Sequence, residues 1–92
     1  TNSTITKMFS ANYTFTVFTS DGRVVKWGHS DYDKIGENSS GEKVNVIYNV
    51  RTMIHENTVT ATHIDGTPIS WSNHSSSNNN VIPTKFLTAT AG

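Results

Sequence analysis

Cysteine is absent from the 92-residue chain, so neither a disulfide framework nor a thiolate metal site can form. Charge is scarce as well: seven Lys+Arg balance seven Asp+Glu, and charged residues make up 15% of the chain. A neutral chain of this kind lacks the basic face with which proteins hold nucleic acid or an anionic membrane. No apolar run approaches the ~18–20 residues that a membrane span requires. Hydrophobic residues amount to 34%, against ~45–50% in typical globular domains on a count that also includes Gly. No stretch has 3.6-residue periodicity, and Lys and Glu, which stock soluble helices, are few, so a helical fold is not expected. There is no nucleophile elbow, no phosphate-cradling loop and no HExxH zinc spacing. The four histidines (His29, His55, His63, His74) show no metal-ligand spacing. The expectation is a non-enzyme without a cofactor.

Hydroxyl and amide side chains fill the space that the missing classes leave. The chain holds 14 Thr, 11 Ser and 10 Asn. Thr favours strands, whereas Ser and Asn favour turns. The composition therefore predicts an all-β fold of antiparallel hairpins with polar loops. Low charge and abundant Ser, Thr and Asn also point to an extracellular or cell-surface setting. The chain begins at Thr1, which suggests a processed product or a piece of something longer.

Residues 13–28 give the clearest local signal. Tyr13, Phe15 and Val17 alternate with Thr14 and Thr16, then Asp21-Gly22 supplies a tight turn, and Arg23 to Trp27 returns as a second strand. Residues 29–42 read as a polar loop. Val44 to Met53 reads as an extended run with Val44, Val46, Tyr48 and Val50 on one face. Residues 57–64 alternate again, Asp65-Gly66 repeats the turn, and Ile69 and Trp71 lie on the return strand. Residues 72–80 are a polar, low-complexity loop, and Val81 to Thr90 is expected as a last strand, with Pro83 near its start.

The chain echoes itself. Met8 and Met53 are 45 residues apart; Thr14 and Thr58, Thr16 and Thr60, Asp21 and Asp65, Gly22 and Gly66, and Trp27 and Trp71 are 44 apart. This defines one β-repeat domain over 1–92, with a first unit over about 4–48 and a second over about 49–80. Residues 81–92 would start a third unit, Thr84-Lys85-Phe86 matching Thr6-Lys7-Met8, or form a linking strand. The anchors of the repeat are Asp21, Gly22 and Trp27 in one copy, and Asp65, Gly66 and Trp71 in the other. The two tryptophans are read as packing anchors, since indole brings a large buried area to a sparse core; ligand stacking is the alternative.

Residues 11–36 resemble a blade of the regulator-of-chromosome-condensation repeat family. Ser20-Asp21-Gly22-Arg23-Val24 fits the family's hairpin, and Trp27-Gly28 through Ile35-Gly36 fits its tail, with Ser30, Asp33, Lys34 and Ile35 substituted. In the second unit Ile64 to Trp71 keeps the hairpin and loses the tail. The resemblance implies β-propeller-like blades of antiparallel strands. Two such units cannot close a ring, so stacking, pairing of copies or a longer array is expected. An immunoglobulin-like pilin sandwich, with about seven strands, is the outside alternative; it gives no reason for the echo.

Two kinds of candidate site remain. Asp31, Asp33 and Glu42 fall on calcium-loop spacing, but the fifth position is Ile35, which offers no side-chain oxygen, and no helices flank the stretch, so a plain polar loop is the expected reading and calcium a weak candidate. N-x-S/T occurs at Asn2, Asn12, Asn38 and Asn73, where covalent glycans are possible partners in a secreted protein. The functional expectation is a structural subunit of an extracellular or cell-surface fibre or adhesive layer. It would polymerise head to tail with copies of itself through exposed β edges. The alternative is a ligand- or protein-binding module, a fragment of a larger propeller-like scaffold.

Overall fold

A computed structural model describes residues 4–11, 13–72 and 80–89. Nine strands run in chain order: β1 (Ile5–Ala11), β2 (Thr14–Thr19), β3 (Val24–Gly28), β4 (Gly36–Glu37), β5 (Lys43–Val44), β6 (Val46–Ile47), β7 (Val50–His55), β8 (Thr58–His63) and β9 (Pro68–Ser72). A 3-10 turn follows at Thr84–Phe86. The fold is all-β, as the composition predicts, and its sheets are not closed into a barrel. One sheet has the order β1-β2-β3-β6, another β7-β8-β9, and β4 and β5 form a small ribbon. Among the described residues no helix is long and apolar enough to cross a membrane.

The echo in the sequence is a duplication in space. Met8 faces Val17 and Phe15 faces Trp27 in the first sheet; Met53 faces Ala61 and Val59 faces Trp71 in the second. Even the irregularity repeats: a shift between Ile5 and Lys7 recurs between Val50 and Thr52. The extra residue of the first copy lies between the paired Ser10 and Phe15, where Tyr13 takes a left-handed φ of 64°. Both hairpin turns also match. Thr19 N–H donates to Arg23 C=O at 2.9 Å, and His63 N–H to Thr67 C=O at 2.8 Å. Gly22 and Gly66 sit at φ 88° and 97°, a region that suits glycine because it has no Cβ to clash.

The two sheets pack face to face. Val24 and Ile47 from the first sheet join Met53, Val59, Ala61 and Trp71 from the second in one cluster, with Phe9 and Phe18 against its margin. Val50, Ile35, Ile82 and Phe86 complete that core. The Phe9 and His55 rings stack between the sheets at 3.8 Å, and Lys7 Nζ reaches across to the Met53 carbonyl at 2.7 Å.

Several local expectations are corrected. In β2 burial does not follow the period-two pattern: Thr14, Thr16, Val17 and Thr19 are buried, whereas Phe15 and the preceding Tyr13 face solvent. The Thr14 hydroxyl donates to the Ala11 carbonyl at 2.6 Å, so it is buried with its polar group satisfied. The run Val44 to Met53 is broken into β5, β6 and β7, with Asn49 at φ 62° between the last two. Its buried members are Ile47, Val50 and Met53, not a simple alternating face. The 29–42 loop contributes β4. The last strand reduces to one parallel bridge between Val81 and Glu37, followed by the 3-10 turn.

Candidate assembly surfaces

The front of the first sheet is apolar and open. Met8 from β1, Phe15 from β2 and Trp27 from β3 share that face by cross-strand register, around Val17. The Phe15 and Trp27 rings stack at 5.8 Å, and such a cross-strand pair holds both rings in place. Met8, Phe15 and Trp27 are 62%, 46% and 42% exposed, whereas their duplicates Met53, Val59 and Trp71 are 0%, 0% and 3% exposed. One face thus exists twice, buried under the back of the first sheet in one copy and facing water in the other. Of the two expected packing anchors, Trp71 lies in the core and Trp27 stands on this open front.

The back of the second sheet is also exposed, and it is a hydroxyl face. Ile54, Thr60 and Ser70 lie side by side across β7, β8 and β9. The Thr60 and Ser70 hydroxyls bond each other at 3.0 Å. Thr58 and Thr60 are the duplicates of Thr14 and Thr16, two of the threonines buried in the first copy.

Among the described residues, no strand pairs with the outer edges of β1, β7 or β9. β3 is covered on its outer edge by β6, where Asn45 accepts from the Lys26 N–H at 2.9 Å through its carbonyl and returns its side-chain amide to the Lys26 carbonyl at 3.1 Å. The duplicate of Lys26 is Ser70, and its carbonyl accepts from the side-chain amide of Asn80. Asn45-Val46-Ile47 and Asn80-Val81-Ile82 are the same tripeptide, and Ile47 and Ile82 are both buried. The tail therefore repeats the entry to a fourth strand through Asn80, whereas Thr84-Lys85-Phe86, the expected start of a third unit, forms the 3-10 turn.

The hairpin anchors are held by local bonds. Asp21 accepts from the Thr19 hydroxyl, which holds its carboxyl below the ordinary value, with Arg23 adding to the effect. Asp65 accepts from Lys85 Nζ at 2.5 Å and from the Thr67 N–H at 2.9 Å. Lys85 first, then Thr67, hold its carboxyl well below the usual carboxylate range. Lys26 is buried between the sheets, and burial lowers its ammonium's pKa against the opposing pull of Asp33.

The calcium candidates do not converge. Asp33 Oδ1 is paired with Lys34 Nζ at 2.5 Å, Glu42 Oε1 accepts from the Asn38 amide at 2.9 Å, and Asp31 lies beside His29. Among the described residues no group of three or more His, Asp or Glu side chains is placed to hold a metal ion. Of the glycan candidates, Asn2, Asn12 and Asn73 fall outside the described residues. Asn38 caps the β4–β5 turn, its Oδ1 accepting from the Ser40 and Glu42 N–H groups at 3.0 and 2.9 Å. The 29–42 loop adds an aromatic group: His29 lies 5.3 Å from Tyr32, and Tyr13 lies 6.3 Å and 6.4 Å from the two.

No family model, curated protein or solved structure matches the chain.

Proposed function

We propose that this chain is a non-enzymatic structural subunit of an extracellular or cell-surface assembly, a fibre or adhesive layer, built from copies of itself. One observation carries the reading. The front of the first sheet presents Met8, Phe15 and Trp27 to water, and its duplicate in the second sheet is core. A contiguous apolar face of this kind marks an interaction surface. The outer edge of β1, with which no described strand pairs, adds backbone donors and acceptors that recruit further chains. A contact between unlike surfaces that does not close yields an open filament. The resemblance to propeller blades fits the same picture, because blades bury their faces only against neighbours. The sequon at Asn38 sits on a turn, where a glycan would coat such a fibre.

Light scattering of the purified chain across a concentration series tests the reading. Mass that grows with concentration is expected; a constant monomer mass contradicts it. A ligand- or protein-binding module is the second reading, favoured by the rings of Tyr13, His29 and Tyr32 clustered at the 29–42 loop. A monodisperse monomer that binds a partner through that loop would decide for it.

A further inference from the structure

We infer that the front of the first sheet is a docking face for the back of the second sheet of another copy, in the register that the two sheets already use within one chain. This rests on the self-assembly reading and goes beyond it by naming both surfaces and their pairing.

The internal interface is the template. There the back of the first sheet meets the front of the second. Phe9 from the back stacks on His55 from the front at 3.8 Å. The duplicate of Phe9 is Ile54, and the duplicate of His55 is Ser10, by the strand register that pairs Met8 with Val17 and Met53 with Ala61. Ile54 is 53% exposed on the open back, and Ser10 is exposed on the open front. The same interface carried between copies sets Ile54 of one against Ser10 of the next.

The hydroxyl back suits this role. Thr14 and Thr16, on the covered back, are among the most deeply buried side chains in the molecule. Their duplicates Thr58 and Thr60 keep the same residue type. The Thr60 and Ser70 hydroxyls bond each other, which satisfies one donor and one acceptor of the pair when they are covered. Ile54, Thr60 and Ser70 carry no charge, and neither do Met8, Phe15 and Trp27, so docking desolvates no ion at the centre of the patch. The aromatic pair supplies the rigid anchors that stable interfaces place at their centre.

The hairpin tips agree. Gly22 is closed over by the next unit: its carbonyl accepts from the Val50 N–H at 2.9 Å, and a Cβ added there would lie 3.1 Å from the Val50 oxygen. Gly66 has nothing within 4 Å of that point. The duplicate of Val50 is Ile5, which is itself exposed. The second tip is open where the first strand of another copy would arrive.

Because the chain has no cysteine, single thiols read the contact directly. Ser10→Cys and Ile54→Cys proteins are mixed and oxidised under conditions in which the wild type assembles. The mixed disulfide between the two variants is expected to exceed either homodimer. In parallel, a Met8→Asp, Trp27→Asp variant is expected to lose assembly while keeping the β-sheet circular dichroism of the wild type. If that variant does not fold, the thiol pair decides alone. Assembly without enrichment of the mixed disulfide overturns this pairing and leaves self-assembly through strand edges. A chain that remains monomeric at every concentration overturns both.

Discussion

At the scale of single residues the duplication sets up matched experiments. Gly22 and Gly66 occupy the same turn position with nearly the same positive φ. An alanine forced into that conformation costs about 1–2 kcal/mol. Gly66→Ala should lose about that much, because open space surrounds the new methyl group. Gly22→Ala should lose more, because its methyl group meets the Val50 carbonyl. Urea unfolding of both variants checks the order, and an equal loss would contradict the tight contact of the first tip. Asp65 gives a prediction in pH. Its carboxyl is held below the ordinary 3.8 by Lys85 and Thr67, so the folded state favours the ionised form. That contribution is present above the ordinary value and is lost as pH falls through the lowered one. Asp65→Asn should therefore flatten the acid limb of stability below about pH 4 relative to wild type. An unchanged limb would show that the Lys85 contact does not persist in solution.

At the scale of strands, Met8 and Met53 stand at one register position in two sheets. Met53→Ala removes a fully buried side chain from β7 and should cost about 2–5 kcal/mol. Met8→Ala trims a mostly exposed side chain from β1 and should leave the stability of the dilute protein within about 0.5 kcal/mol of wild type. Chemical unfolding at low concentration measures both. The hairpins and their duplication were legible because Asp-Gly turns and cross-strand aromatic pairs are local in sequence. Which face of β2 is buried was not legible. Period two divides Phe15 from Thr16 but does not say which lies inward. The usual preference of aromatics for the core was overruled by the position of the sheet within the stack: Thr14 and Thr16 lie under the second sheet, and Phe15 lies on the open side. The last strand failed for a similar reason. Pro83 and the short connection after Trp71 leave Asn80 bonding the edge of β9 with its side chain, and the chain then turns into a 3-10 segment that drops Phe86 into the core against His63. The open front, which is the candidate site, was visible in sequence only as residues that elsewhere in the chain read as core.

At the scale of the molecule, one unit buries its front and the other exposes it. The two tryptophans report on those two environments separately, because they occupy equivalent positions with opposite accessibility. Iodide quenching of tryptophan fluorescence, with a Trp27→Phe variant to isolate Trp71, measures this directly. In dilute wild-type protein, Trp27 should be quenched and Trp71 protected. As concentration rises and copies dock, Trp27 should become protected and its emission should shift to the blue, while the Trp71 signal of the variant stays constant. Trp27 that remains equally open to iodide at every concentration, in a solution that light scattering shows to be assembled, would contradict docking on the front face.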